Sequence, residues 1–152
     1  MKIYAAYGSN MNLTQMSLRC PQAKVCGKGE LKGYRLTFRG GSGGGVANVE
    51  MRRGRSVPIV LWWITPECEK ALDRYEGFPH LYEKKLVEVE TPDGPVIAMI
   101  YVMAERYERM PSHPSGYYFG IIRQGYYDNG IPFKALNAAL MECRRELGVE
   151  RP

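Results

Sequence analysis

Histidine and paired cysteine are the scarce residues of this chain. Its two histidines are His80 and His113, and its four cysteines, Cys20, Cys26, Cys68 and Cys143, are scattered with no C-x-x-C among them. That inventory lacks the ligand spacing of a zinc site and reads as four reduced structural thiols in a cytoplasmic protein. Long apolar runs are missing as well. The longest, residues 57–64 and 96–103, have the length of strands and fall short of the roughly 20 residues that cross a bilayer. No basic-then-apolar leader follows Met1, so the expectation is a cytoplasmic protein with no membrane segment. The glycine run GGSGGG at 40–45 is followed by no G-K-[ST] and does not match G-x-G-x-x-G leading into a helix, which excludes the P-loop and the dinucleotide fingerprint. It reads as a loop beside a site or a mobile hairpin end. The net charge of +5 is modest, and much of it sits in RRGR at 52–55 and in Arg144 and Arg145. One four-residue patch without interleaved aromatics is a solvated turn, not a nucleic-acid surface.

What the chain does have is enough apolar content for one core: 152 residues at 45% hydrophobic composition suit a single domain spanning 1–152. Seventeen glycines, ten prolines and eleven tyrosines suit short strands joined by tight turns, with amphipathic rings lining a cavity or surface. The organising stretch is KIYAAYGSN at 2–10. An apolar, aromatic run ending in Gly-Ser-Asn predicts a strand that turns sharply and exposes backbone N–H groups, a place for an anion. Turns of this composition are also common where nothing binds. A short helix over 12–20, capped by Asn12 and stopped before Pro21, would follow, and its N-terminus favours a carboxylate or phosphate.

Alternation at Tyr34, Leu36 and Phe38, with glycines at 27, 29 and 33, predicts two bent strands over 24–39. Two more strands, 46–51 and 57–64, are expected on either side of the RRGR turn. The second (VPIVLWWI) is apolar on both faces, so both should be covered, by sheet, helix or a partner subunit; Trp62 and Trp63 read as core. Thr65-Pro66 starts a helix with the stripe Cys68, Ala71, Leu72 and Tyr75, ended by Gly77. Glu76 then lies in the last helical turn, where the macrodipole and Asp73 three residues back should raise its pKa. On spacing alone it reads as a solvated terminal acid. Residues 81–91 and 96–103 form a hairpin, the second strand buried on both faces, with Tyr82 and Tyr101 at the same end. Helices over 117–127 and 132–147 close the chain, the latter with Phe133, Leu136, Leu140 and Cys143 as its stripe.

Three stretches, in order, carry a family resemblance: YGSNM at 7–11, similar to a Y-G-S-N-L loop; RYEGFPHLY at 74–82, similar to an E-G-x(n)-Y segment; and PSGYYFGIIRQGYYDNGIP at 114–132, similar to P-S-x-x-Y followed by G-x-x-x-x-G-[IL]-P. As a set they resemble the γ-glutamylcyclotransferase-like proteins, which include the AIG2-like and γ-glutamylamine cyclotransferase branches. The resemblance implies an α+β fold, a small mixed β-barrel with flanking helices and a site at one mouth. It implies cyclisation of an N-terminal γ-glutamyl group to 5-oxoproline with release of an amine or amino acid. By position, it places the general base and acid on Glu76, the substrate-holding loop on Tyr7, Gly8, Ser9, Asn10 and Met11, and further site tyrosines on Tyr82, Tyr101 and Tyr118. No metal or cofactor is implied, and the partner is a small γ-glutamyl substrate. Met11 stands where leucine is usual and could reshape the pocket wall. A non-catalytic binding or regulatory module on the same fold is the alternative, and a homodimer is left open.

Overall fold

The computed structural model describes residues 2–40 and 44–148, so part of the glycine run, residues 41–43, lies outside the described residues. Five strands form a closed barrel: β1 (Lys2–Ala6), β2 (Lys24–Arg39), β3 (Val46–Ile64), β4 (Tyr82–Thr91) and β5 (Gly94–Met103), in the order β1-β3-β2-β4-β5. All neighbouring pairs are antiparallel except β1 and β5, which close the barrel in parallel at Tyr4 and Met99. Five helices flank it: α1 (Leu13–Arg19), α2 (Pro66–Glu76), the short α3 (Glu105–Glu108), α4 (Gly116–Asp128) and α5 (Lys134–Glu146). The buried apolar side chains form one cluster that runs through the barrel and under the helices. Among the described residues no helix is long and apolar enough to cross a membrane.

The expected break at RRGR is not there. Residues 24–39 are one strand, not two, and β3 runs unbroken through 52–55. The reason lies in the pairing. Lys32 faces Ser56 and Tyr34 faces Met51, so the extra residues of β3 bulge outward opposite Gly33 while the ladder resumes on both sides. Gly33 and Gly54 absorb the bend at φ 83° each, a region that side-chain-bearing residues rarely adopt. The long ribbon thus bends over the core without a loop. At its other end β4 crosses β2 so closely at Glu30 and Glu90 that a Cβ on Gly29 would run into the Glu90 carbonyl, so this glycine permits closure.

Trp62 is buried, but Trp63 is 40% exposed, which corrects the reading of both as core. On a pleated strand successive side chains point to opposite faces, and the outer face of the barrel at Trp63 is only partly covered. The same rule corrects β5. It is buried on both faces only over residues 98–101, while Ile97 is 59% exposed. The hairpin itself is as expected: Tyr82 pairs with Met103 and Lys84 with Tyr101, so Tyr82 and Tyr101 share one end.

Local chemistry sets α2 in place. The Thr65 hydroxyl accepts from the Cys68 N–H at 3.1 Å, Pro66 occupies the first turn, and Gly77 at φ 68° ends the helix. Such an N-cap contributes about 1 kcal/mol. Glu76 is therefore the last helical residue, at the mouth of the barrel rather than along its wall.

Candidate active site

At that mouth lies a cavity of about 240 Å³. Its lining draws on every layer of the fold: Tyr7, Gly8, Ser9 and Asn10 follow β1, Glu76 ends α2, Tyr82 and Tyr101 come from the β4–β5 hairpin, and Tyr118 comes from α4. The structure thus brings together eight of the nine site residues expected from the sequence. Met11 is the exception. It is fully buried beneath the loop and does not line the cavity, so it does not form the pocket wall that its departure from leucine suggested.

The loop after β1 is a single turn of 3-10 helix, Ser9–Met11, running into the Asn12 cap of α1. Within it the N–H groups of Met11 and Asn12 bond to the Gly8 and Ser9 carbonyls at 3.0 and 3.1 Å, whereas those of Ser9 and Asn10 have no acceptor among the described residues. Free N–H groups at the start of a helical turn are the elements of an anion site. Three contacts fix the loop. Trp62 Nε1 donates to the Asn10 carbonyl at 3.0 Å, Asn129 Nδ2 donates to the Met11 carbonyl at 2.9 Å, and the Asn12 side chain donates to the Ile121 carbonyl at 3.0 Å. The latter two tie it to α4 and the turn that follows. Gly125 allows that approach, since a Cβ there would sit 2.7 Å from the Asn12 nitrogen.

Glu76 is half-buried at the cavity and makes no hydrogen bond or ion pair with a described residue. Burial pushes its carboxyl up to about 7, and the charge of Arg19 pulls it partly back. The direction agrees with the sequence reading, but the cause does not. Asp73 is turned away, its carboxylate taken up by the Tyr101 hydroxyl at 2.6 Å and Lys84 at 2.9 Å, and it is desolvation that perturbs Glu76. Nor is Glu76 the solvated acid that its spacing suggested.

The ring hydroxyls are held individually. Tyr7 donates to the Tyr101 carbonyl at 2.7 Å, and Tyr82 donates to the Ala47 carbonyl. Tyr118 accepts from the Ala47 N–H at 3.0 Å, so the N–H and the carbonyl of one residue hold two cavity rings. Burial, and then the charge of Glu76, raise the pKa of Tyr7 well above the ordinary phenol range. For Tyr82 and Tyr118 the direction is the same, with burial the largest cause and Glu76 among the others. All three stay protonated at neutral pH.

Two residues that sequence reasoning passed over belong to this site. Tyr4 lines the cavity from β1, and its hydroxyl accepts from Asn10 Nδ2 at 2.9 Å. Arg19, in the last turn of α1, reaches back to Asn10 Oδ1 and lies 3.6 Å over the Tyr75 ring. Tyr4 sits in the strand that was singled out, and its spacing from Tyr7 was the available signal. Nothing in the sequence pointed to Arg19, because its role depends on where α1 docks. Among the described residues no cluster of histidine, cysteine and acid side chains is placed to hold a metal ion.

The chain matches the family model described as "Gamma-glutamyl cyclotransferase, AIG2-like" over residues 4–120. It is 31% identical to the gamma-glutamylcyclotransferase of Homo sapiens over 140 residues, 87% of this chain and 73% of that protein. The Mus musculus gamma-glutamylcyclotransferase is 30% identical over 138 residues, 86% of this chain and 72% of the relative. A solved structure titled "Gamma-glutamyl cyclotransferase" superposes with a TM-score of 0.80 at 29% identity, covering 91% of this chain and 85% of that one. An AIG2-like protein from Mus musculus superposes with a TM-score of 0.59 at 18% identity, covering 76% of this chain and 87% of that one, a likeness of fold alone.

Proposed function

The chain belongs to the gamma-glutamyl cyclotransferase, AIG2-like family, and from that premise we propose that it cyclises an N-terminal γ-glutamyl group to 5-oxoproline, with Glu76 as general base and acid. The observation that carries the reading is Glu76 itself. A carboxylate without a hydrogen-bond or ion-pair partner among the described residues, in a cavity otherwise lined by neutral groups and rings, is held near pH 7, where it can both take and return a proton.

In this reading the substrate's α-ammonium gives a proton to Glu76 and its nitrogen attacks the γ-carbonyl carbon. The ring C–N bond forms, the original amide C–N bond breaks, and Glu76 returns a proton to the departing nitrogen. The second proton of the ring nitrogen follows by way of the same carboxylate, so that 5-oxoproline leaves as the neutral lactam and the amine as its ammonium. Both reacting groups belong to one molecule, so the site's work is to fold the substrate and move protons. Acid-base catalysis of this kind is worth roughly 10²- to 10⁴-fold. The free N–H groups of Ser9 and Asn10 hold an anionic oxygen of the glutamyl group, either its α-carboxylate or the oxyanion that develops on the γ-carbonyl. Gly8 lets the loop lie close to its neighbours, since a Cβ there would already stand 3.2 Å from the Ala47 methyl.

The test is 5-oxoproline release by the purified protein from a panel of γ-glutamyl amino acids and γ-glutamylamines, including one on lysine. Release from at least one donor, abolished in Glu76→Gln, supports the reading and identifies the leaving group. Binding of those donors without any release would instead assign a binding or regulatory module.

A further inference from the structure

A tyrosine hydroxyl has one proton to give and two lone pairs to receive with. At this cavity the hydroxyls divide on that basis. Tyr7, Tyr82 and Tyr101 have spent their protons on the Tyr101 carbonyl, the Ala47 carbonyl and the Asp73 carboxylate. They are walls. Tyr118 and Tyr4 have each received an N–H instead, from Ala47 and from Asn10, and so keep a proton that no described residue accepts.

For Tyr4 the direction of that bond is forced. A guanidinium can only donate, so Asn10 must turn its carbonyl oxygen to Arg19 and its NH₂ to Tyr4. An amide NH₂ can only donate in turn, so the Tyr4 oxygen must accept. Arg19 cannot drift, being stacked on Tyr75 and bonded to Gln15 Oε1 at 3.0 Å. The Tyr4 ring is fixed edge-on to Tyr101 at 5.8 Å between centroids.

We propose that Tyr4 donates a hydrogen bond to an anionic oxygen of the glutamyl group, and that Arg19 and Asn10 are positioning residues that turn its proton into the cavity. This rests on the functional reading above. Burial, and then the charge of Glu76, keep the phenol protonated, so the donor is present across the neutral range. The assignment gives the polarity of a three-residue chain, cation to amide to phenol, a use that packing alone does not require.

The experiment compares steady-state 5-oxoproline release by the wild type, Tyr4→Phe, Asn10→Asp and the double variant, each checked for its thermal melt. Tyr4→Phe keeps the ring and removes the proton; its kcat/KM is expected to fall about a hundredfold to a thousandfold, as when an oxyanion donor is lost. A rise in KM identifies the α-carboxylate as the acceptor, and a fall in kcat identifies the developing oxyanion. Asn10→Asp keeps every ring but accepts from both Arg19 and Tyr4, drawing the phenol proton out of the cavity. It is expected to lose about as much as Tyr4→Phe, and the double variant to be no worse than the poorer single one. Tyr4→Phe with both constants unchanged, in an active wild type, overturns this inference alone. Fully additive losses in the double variant overturn the positioning role. A wild type that releases 5-oxoproline from no donor overturns the functional reading, and this inference with it.

Discussion

On its outer flank α2 carries Glu69, whose carboxylate meets Lys2 at 2.9 Å and Lys84 at 2.7 Å; at the cavity end of the same helix Glu76 meets no cation at ion-pair distance among the described residues. Burial works on both to raise the pKa. At Glu69 the bonds from Lys2 and Lys84 outweigh it and the carboxyl ends below its ordinary value, whereas at Glu76 the more distant Arg19 does not, and the carboxyl ends at about 7. One residue type, on one helix, is thus a settled ion-pair partner at one end and a poised proton carrier at the other. The difference is made by what each faces across the fold, not by the helix.

The sharpest way to break the contrast is Glu76→Gln. It is expected to retain the fold and donor binding while turnover falls about 10²- to 10⁴-fold, read as 5-oxoproline release. Near-normal activity would leave Glu76 no more than a buried acid. Gly8→Val comes next. Its branched side chain would press on the Ala47 methyl, which a bare Cβ already meets at 3.2 Å, and on the Tyr118 hydroxyl at 3.7 Å. Displacement of the loop by about 1 Å can cost up to about 10²-fold in kcat/KM, with a raised KM expected because the anion site moves. An unchanged KM would argue against a backbone anion site.

Arg19→Met removes a cation that lowers the Glu76 pKa. The acidic limb of the pH–rate profile, set by deprotonation of the base, should move to higher pH. A profile that merely scales down without shifting would show that Arg19 acts on the loop alone. The smallest effects are in stability, and their signs oppose. Glu76 has a raised folded pKa, so its stabilising contribution is complete below the unfolded value near 4.5 and is lost as pH rises through about 7. Glu76→Gln should therefore melt higher than the wild type at neutral pH, by on the order of 1–3 kcal/mol, with the gain vanishing in acid. Glu69 has a lowered pKa, so its contribution is present above the unfolded value and lost as pH falls through the folded one. Glu69→Gln should cost about 1 kcal/mol or less at neutral pH, with release of 5-oxoproline unaffected.

Much of the local structure was legible because its causes are local. Thr65, Pro66 and Gly77 bound α2, Asn12 caps α1, and the placement of Tyr82 and Tyr101 at one end of the hairpin follows from its register. The RRGR segment misled because arginine and glycine in sequence look like a turn, whereas these residues are a bulge of β3 opposite Gly33, with the ladder to β2 resuming on both sides. The candidate site was legible where side chains sit in recognisable stretches, as Gly8, Ser9, Asn10 and Glu76 do. It was not legible at Tyr4 and Arg19, whose parts depend on contacts across the loop.

By itself the sequence determined the strand-and-turn at residues 2–10, the ends of α2 and the presence of an acid at its last position, since caps, prolines and left-handed glycines act within a few residues. Only the tertiary structure decided what that acid is. Closing the barrel brings the rings of β1, β4, β5 and α4 around Glu76 and withdraws it from water, and docking α1 places Arg19 on Asn10. Desolvation and the direction of a hydrogen bond are properties of surroundings, and the surroundings of Glu76 and Tyr4 are assembled from segments far apart in the chain.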